Sequence, residues 1–322
     1  MKLKLLALSF LLLGAAALPA SAQTWPAKTV RIIVPFGPGS TPDTVARLLA
    51  DGLGKQYPDN VFVVENKSGA SGNIGTNTVA KARPDGSTIG ISIGGPLAIN
   101  TLLFSKLPYD PRKDIAAVTQ LVTQPSLLAV NPKLKVDSVS ALVAQLKAHP
   151  GMYNFASIGN GSLSQLAMEA IAIKAGTKLV HVAYSSSPHA ITAVIRNDVQ
   201  MACLPAISVT PYAKSGKVKM LAVSTAKRSA FLPDLPTLKE SGIDVEADAW
   251  MGLIAPGEMP KPMIDKINKD VVAIIKRPEI RKKLAALLME PVGSTPAQFR
   301  ALINGEIARW APIIKAANVK VN

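Results

Sequence analysis

The stretch VRIIVPFGPGSTPDTVARLLADGL, residues 30–53, decides the fold. Its first five residues form an apolar, β-branched run broken only by Arg31, and the run stops at Pro35, Phe36, Gly37, Pro38 and Gly39. That pattern predicts a buried strand running into a glycine-rich loop. Thr41 and Pro42 then read as an N-cap and a first helical residue, and Val45, Leu48, Leu49 and Leu53 mark one helical face. Strand, loop and helix follow in that order.

The same order recurs down the chain. Residues 61–64 read as a strand, 68–73 as a loop and the following segment as a helix through Val79, and a third strand over 88–93 ends at Gly94 and Gly95. Further on, the pattern predicts a strand over 127–130, a helix over 139–148, a strand over 154–156 and a loop over 157–161. Ser162 and Gln165 form a capping-box pair that opens a helix to about Lys174, with Gly176 as its stop. Strands over 179–182, 199–202 and 218–223 follow, with a helix over 190–195 between the first two. Alternation of this kind predicts α/β architecture, with parallel sheets covered by helices on both faces. From Pro260 only helices are expected, over 263–275, 279–288 and a last one capped by Thr295, Pro296 and Gln298 that runs to about Ala316. A helical tail after two α/β halves suits a chain that returns to brace the first half, so two lobes are expected.

Residues 1–22 place Lys2 and Lys4 ahead of an apolar run and end on Ala20, Ser21 and Ala22, the pattern of a cleaved secretory leader. The run is broken by Ser9, Gly14 and Pro19 and is too short to span a bilayer. Export to the periplasm is therefore expected, as a protein not embedded in the membrane. Removal of 22 of 322 residues leaves 300, and the formal charge of +15 falls by the two lysines to +13. The basic residues are scattered, and export argues against a nucleic-acid partner. Cys203 is the single cysteine, in an apolar run, and reads as a small buried hydrophobe.

Three polar, small-residue loops sit where an open sheet places its ligands, beyond strand ends and before helix N-termini: residues 37–43, 68–75 and 157–164. Free N–H groups and the positive end of a helix dipole make such loops anion seats, and serine or threonine hydroxyls add donors. Asp43, in a first helical turn, reads as complementing the dipole. Gly90, Ser92 and Gly94 match a hydrolase nucleophile elbow, yet His149, His181 and His189 are the only histidines, and His181 reads as a satisfied core residue. Catalysis is thus not expected. The glycine spacing fits no nucleotide fingerprint and the histidines form no ligand cluster, so neither a cofactor nor a metal is expected.

These segments closely resemble the Bug family, the extracytoplasmic receptors of tripartite tricarboxylate transporters. The resemblance rests on the opening stretch together with VVENKSGASGNIGTNTVAKARPDGSTI (63–89), LPYDPRKD (107–114), NFASIGNGSLSQLAMEAI (154–171), HVAYSSSPHAITAVI (181–195), LAVSTAKRSAFLPDLPTLKESG (221–242), the W-x-G-L-x-A-P segment at 250–256 and EPVGSTPAQF (290–299). It implies a two-lobed periplasmic binding protein of the Venus-flytrap type, type II, with the ligand in the inter-lobe cleft. Lobe 1 is expected over 23–122 and 250–322 and lobe 2 over 123–249, with crossovers near 119–126 and 245–252. It also implies a small organic carboxylate as ligand and two membrane subunits, one large and one small, as partners of a monomeric receptor.

By this resemblance the ligand is held by Phe36, Gly37, Gly39, Ser40 and Thr41 of the first loop and by Ser157, Asn160, Gly161, Ser162 and Ser164 of the third. Ser71 and Asn73 of the second loop, with Tyr184 and Ser185, are expected to complete the lining. None of these residues is basic, so backbone amides, hydroxyls and helix termini must supply the positive potential. Ser40 stands where the family usually has a second glycine, and Ser185 and Ser186 where it has Lys-Gly, so the ligand of any one relative does not transfer. A receptor signalling to a membrane sensor kinase is the alternative of a different class, and a secreted hydrolase acting through Ser92 is a third.

Overall fold

A computed structural model describes residues 25–321; the leader expected over 1–22 lies outside them. In chain order the elements are β1 (Thr29–Val34), α1 (Thr41–Gln56), β2 (Val61–Asn66), α2 (Asn73–Ala80), β3 (Thr88–Ile93), α3 (Asn100–Leu103), β4 (Ile115–Gln124), β5 (Ser126–Val130) and α4 (Val139–Ala148). They continue with β6 (Asn154–Ser157), α5 (Leu163–Ala175), β7 (Val180–Ala183), α6 (Ser187–Arg196), β8 (Met201–Pro205), α7 (Ala206–Lys214) and β9 (Lys219–Val223). The last are β10 (Ala249–Pro256), α8 (Lys261–Ile275), α9 (Pro278–Ala286), β11 (Glu290–Pro291) and α10 (Pro296–Ala316).

The strands form two sheets, one in the order β11-β4-β10-β3-β1-β2 and one in the order β7-β6-β8-β5-β9. Neither is wholly parallel, which corrects the expectation from alternation. β10 runs antiparallel between β3 and β4, and β5 runs antiparallel between β8 and β9. The reason lies in the crossings: β5 follows β4 with only Pro125 between them, and β10 follows β9 from the other sheet. Each sheet therefore receives one strand directly from the other, and that strand enters against the direction of its neighbours.

The two crossings lie side by side. Ser224 N donates to Ser126 O at 2.9 Å, Ala247 N donates to Ser224 O at 3.0 Å, and Ser224 Oγ donates to Ala247 O at 3.0 Å. These bonds satisfy backbone that leaves one sheet before it joins the other, where ladder partners are missing.

β1, β3 and β10 bury Val30, Ile32, Ile89, Ile91 and Leu253 against α1 and α8, whose Leu49, Leu53, Ile267 and Ile274 face the sheet. In the second sheet Leu128, Phe155 and Met201 pack under Leu142, Leu166 and Ile171 of α4 and α5. The tail does more than brace the first half. Phe299 and Ile303 of α10 pack with Trp250 and Ile254 of the first sheet, whereas Trp310 and Ile314 join the core of the second. One helix of 21 residues, roughly 30 Å long, is thus packed on both. Cys203 is buried as expected, and desolvation pushes its thiol up to about 12. No helix among the described residues is long and apolar enough to cross a membrane.

Candidate functional site

The first loop leaves β1 at Pro35 and enters α1 one residue earlier than expected. Ser40 is the N-cap, with extended backbone (φ −67°, ψ 160°), and Thr41 is already helical. Yet its hydroxyl does not cap the helix, and the Ser40 Oγ is buried with no hydrogen-bond partner among the described residues. The loop is held instead by Asp43, which is 2 % exposed. Its carboxylate accepts from Gly39 N at 2.9 Å, from Asn66 Nδ2 at 3.0 Å and from Arg47 Nε and Nη2 at 2.9 and 3.0 Å. Burial pushes its pKa up, but these donors outweigh burial and hold it below the ordinary carboxylate value. Asp43 is therefore more than a dipole partner. It ties the loop to β2 and occupies Arg47, the nearest guanidinium on α1.

The second loop packs directly on the first. A Cβ at Gly72 would meet Pro96 Cγ at 2.8 Å and the Phe36 ring at 3.1 Å, and one at Gly75 would collide with Pro35. Both glycines permit this approach, and Gly72 also takes a left-handed φ of +88°. Of the expected lining residues, Ser71 is exposed with φ +55°. Asn73 is 4 % exposed, and its Oδ1 accepts from Asn100 Nδ2 at 2.7 Å and from the Tyr109 hydroxyl at 3.0 Å. Those bonds brace α2 against the turn after β3, so half of the Asn73 amide is committed within the protein.

The third loop, between β6 and α5, is a network of hydroxyls. Ser162 caps α5, accepting from Gln165 N at 3.3 Å, and lies 2.9 Å from Ser164 Oγ. Ser164 Oγ accepts from Ile158 N at 3.0 Å, and the Gln165 side chain reaches past the cap to accept from Gly161 N at 2.8 Å. Ser157 is fully buried, with its Oγ 2.6 Å from His181 Nε2 and 3.1 Å from both the N and the O of Gly159. Asn160 is exposed at the loop tip. Gly161, at φ +72°, sits where a Cβ would strike Leu103 and Val321.

That last contact relates the loops in space. The helical segment after β3 has Pro96 against the second loop and Leu103 against Gly161 of the third. The first and second loops therefore lie at one end of this short segment and the third at the other, roughly 10 Å apart. Tyr184 joins the third loop through its backbone, Tyr184 N donating to Ser157 O at 2.9 Å, whereas Ser185 is exposed and pairs with His189 Nδ1 at 2.8 Å. A surface recess of about 740 Å³ runs along the flank of α1 from Pro38 to Lys283 and takes in only Gly39 of the expected lining residues.

The histidine that sequence reasoning left in the core is half-buried on β7, paired with Ser157 and stacked on Phe155 at 5.0 Å. Only the register Phe155↔His181 reveals it, since that pairing sets His181 two residues from Ser157 on one face of the sheet. Ser92, the candidate nucleophile, is fully buried and shares a 2.9 Å hydrogen bond with Thr76. It is closed to any substrate in this arrangement.

Two sheets exchanging strands, with polar helix-opening loops at their ends, define a two-lobed solute-binding protein of the periplasmic type II kind. The model of the tripartite tricarboxylate transporter family receptor matches residues 45–319, and the chain belongs to that family. It is 34% identical over 314 residues to Protein BugT of Bordetella pertussis, covering 97% of this chain and 96% of that one. Among solved structures it is similar to Rpa4515 of R. palustris with adipate (32% identity, TM-score 0.80, covering 92% of this chain and 99% of that one). It is likewise similar to MatC from Rhodopseudomonas palustris with bound malate (30% identity, TM-score 0.75, covering 90% and 100%). The protein is thus a solute receptor of this family.

Proposed function

We propose that this receptor captures a small organic carboxylate in the cleft between its lobes and delivers it to the large and small membrane subunits of a tripartite transporter. The observation that carries this reading is the buried, unpartnered Ser40 hydroxyl at the N-terminus of α1. A buried hydroxyl without a partner costs stability, and a ligand oxygen at the helix terminus would satisfy it. The serine-capped terminus of α5 supplies a second seat. The relatives with adipate and malate support a dicarboxylate of similar size. The ligand lining comprises the residues named above from the first and third loops, with Ser71, Asn73, Tyr184 and Ser185 at its margin.

The lobes are residues 23–122 with 250–322, and 123–249, and they close about the paired crossings at Pro125 and Ser224. The mature chain, after loss of residues 1–22, works as a monomer in the periplasm and catalyses no reaction, in keeping with the buried state of Ser92. Thermal-shift measurements across adipate, malate and citrate test the reading. A ligand at about 100 times its dissociation constant adds about 2.7 kcal/mol to stability, a shift of several degrees. No shift with any member of the panel rejects the carboxylate assignment.

A further inference from the structure

The second seat contains no lysine or arginine, yet one ionisable base is hydrogen-bonded into it: His181, through Ser157. A serine hydroxyl has one hydrogen, and three groups surround the Ser157 Oγ: His181 Nε2 at 2.6 Å, Gly159 O at 3.1 Å and Gly159 N–H at 3.1 Å. Gly159 N–H donates to the oxygen. When His181 Nε2 carries no proton it takes the serine hydrogen, and Ser157 turns only lone pairs toward the loop. When Nε2 carries a proton it donates to Oγ instead. The serine hydrogen is then directed to Gly159 O or to an anion at the loop, and an imidazolium places positive charge behind it.

We propose that His181 is a positioning residue of the second anion seat: its Nε2 bond orients the Ser157 hydroxyl and the Gly159 backbone, and a proton on its ring tightens the hold on a bound carboxylate. This rests on the carboxylate reading given above. The ring acts through Ser157, whose fully buried hydroxyl takes up its Nε2. Stacking on Phe155 fixes the plane of the imidazole, so Nε2 has one target. Burial alone lowers the His181 pKa; neither Glu169 of α5, Tyr153 before β6, nor Tyr184 and His189 beyond β7 adds a charge effect to it. A carboxylate bound beside the loop raises it again. By linkage the affinity then increases as pH falls from the occupied value through the lower, unoccupied one.

Calorimetry with adipate and malate, from about pH 8 to about pH 5.5 and in buffers of different ionisation enthalpy, tests this on the full mature chain. Wild type is expected to bind about fivefold more tightly at the acidic end and to take up protons on binding. His181→Gln places an amide that can donate to Oγ or accept from it but cannot titrate, so it should lose the slope and bind at every pH with an affinity between the wild-type limits. His181→Phe removes the bond and should weaken binding by about tenfold at every pH. Glu169→Gln should keep the wild-type slope. A flat wild-type profile, a slope retained by His181→Gln, or a slope lost in Glu169→Gln overturns the role of His181 while leaving the carboxylate reading intact. Absence of binding by wild type at every pH takes down both.

Discussion

The loops before α1 and α5 are built on the same plan, a buried strand turning through glycine and serine into a helix, but they are held in opposite ways. The first is clamped by a charge: the Asp43 carboxylate gathers Gly39 N, Asn66 and Arg47, and the N-cap hydroxyl of Ser40 is left without a protein partner. The third is held by neutral groups only, with Ser162, Ser164, Ser157 and Gln165 each bonded within the loop or to His181. A charge can hold several donors at once and frees the cap for a ligand. A hydroxyl network must spend its own donors to stay in place. The first loop is therefore expected to separate stability from affinity, and the third to couple them.

The largest effect should come from the clamp. Asp43→Ala removes the shared acceptor of the Gly39 amide, the half-buried Asn66 amide and the exposed Arg47 guanidinium; hydrogen bonds to a charged group are worth ~1.5–3 kcal/mol each, less where the freed donor turns to water, so urea unfolding should show a total loss of about 3 kcal/mol. Because its donors hold the Asp43 pKa below the ordinary 3.8, that stability is present above the ordinary value and lost as pH falls through the folded one. The gap between wild type and Asp43→Ala should close in strong acid. A gap that persists there would mean that packing, not charge, holds the first loop.

A smaller effect is expected where the third loop meets the rest of the molecule. Gly161→Ala puts a side chain at φ +72° and drives its Cβ into Leu103 and Val321. Strain and overpacking together should lower stability by about 2 kcal/mol, read as a drop in Tm. An unchanged Tm would show that the loop can move off Leu103 freely, and the spacing between the two seats would not be fixed.

The smallest pair of effects distinguishes the loops most sharply. Ser40→Ala should leave Tm of the unliganded protein unchanged or raise it by a few degrees, since it loses no protein hydrogen bond and removes an unsatisfied buried hydroxyl, while the dissociation constant for the tightest dicarboxylate rises about tenfold. Ser162→Ala removes the cap of α5 and should cost about 1 kcal/mol of stability as well as affinity. If Ser40→Ala lowers Tm with affinity unchanged, the two loops do not differ in the way described.

Local pattern made several elements legible. β3 and α4 fall on the expected residues, because Gly94 ends the one and Ser138 caps the other, and α10 opens on the expected Thr295–Gln298 capping box. β4 went unread: IAAVTQLVTQ alternates too weakly for a half-exposed strand, since it is buried between β10 and β11. In the site, the glycines and serines of the first and third loops could be singled out from their place after a strand and before a helix. Asp43 as a clamp and His181 as the partner of Ser157 could not, because each bond joins residues more than twenty positions apart or depends on how the loop turns.

The sequence alone determined most of the strands and helices and where the polar loops fall, because those depend on side-chain period and on turn and cap residues close in the chain. Only the tertiary structure decided that each sheet takes an antiparallel strand from the other, that α10 packs on both, and which hydroxyls are free. Strand order and hydrogen-bond satisfaction are set by contacts between distant residues competing for the same donors and acceptors, and that competition has no local signature.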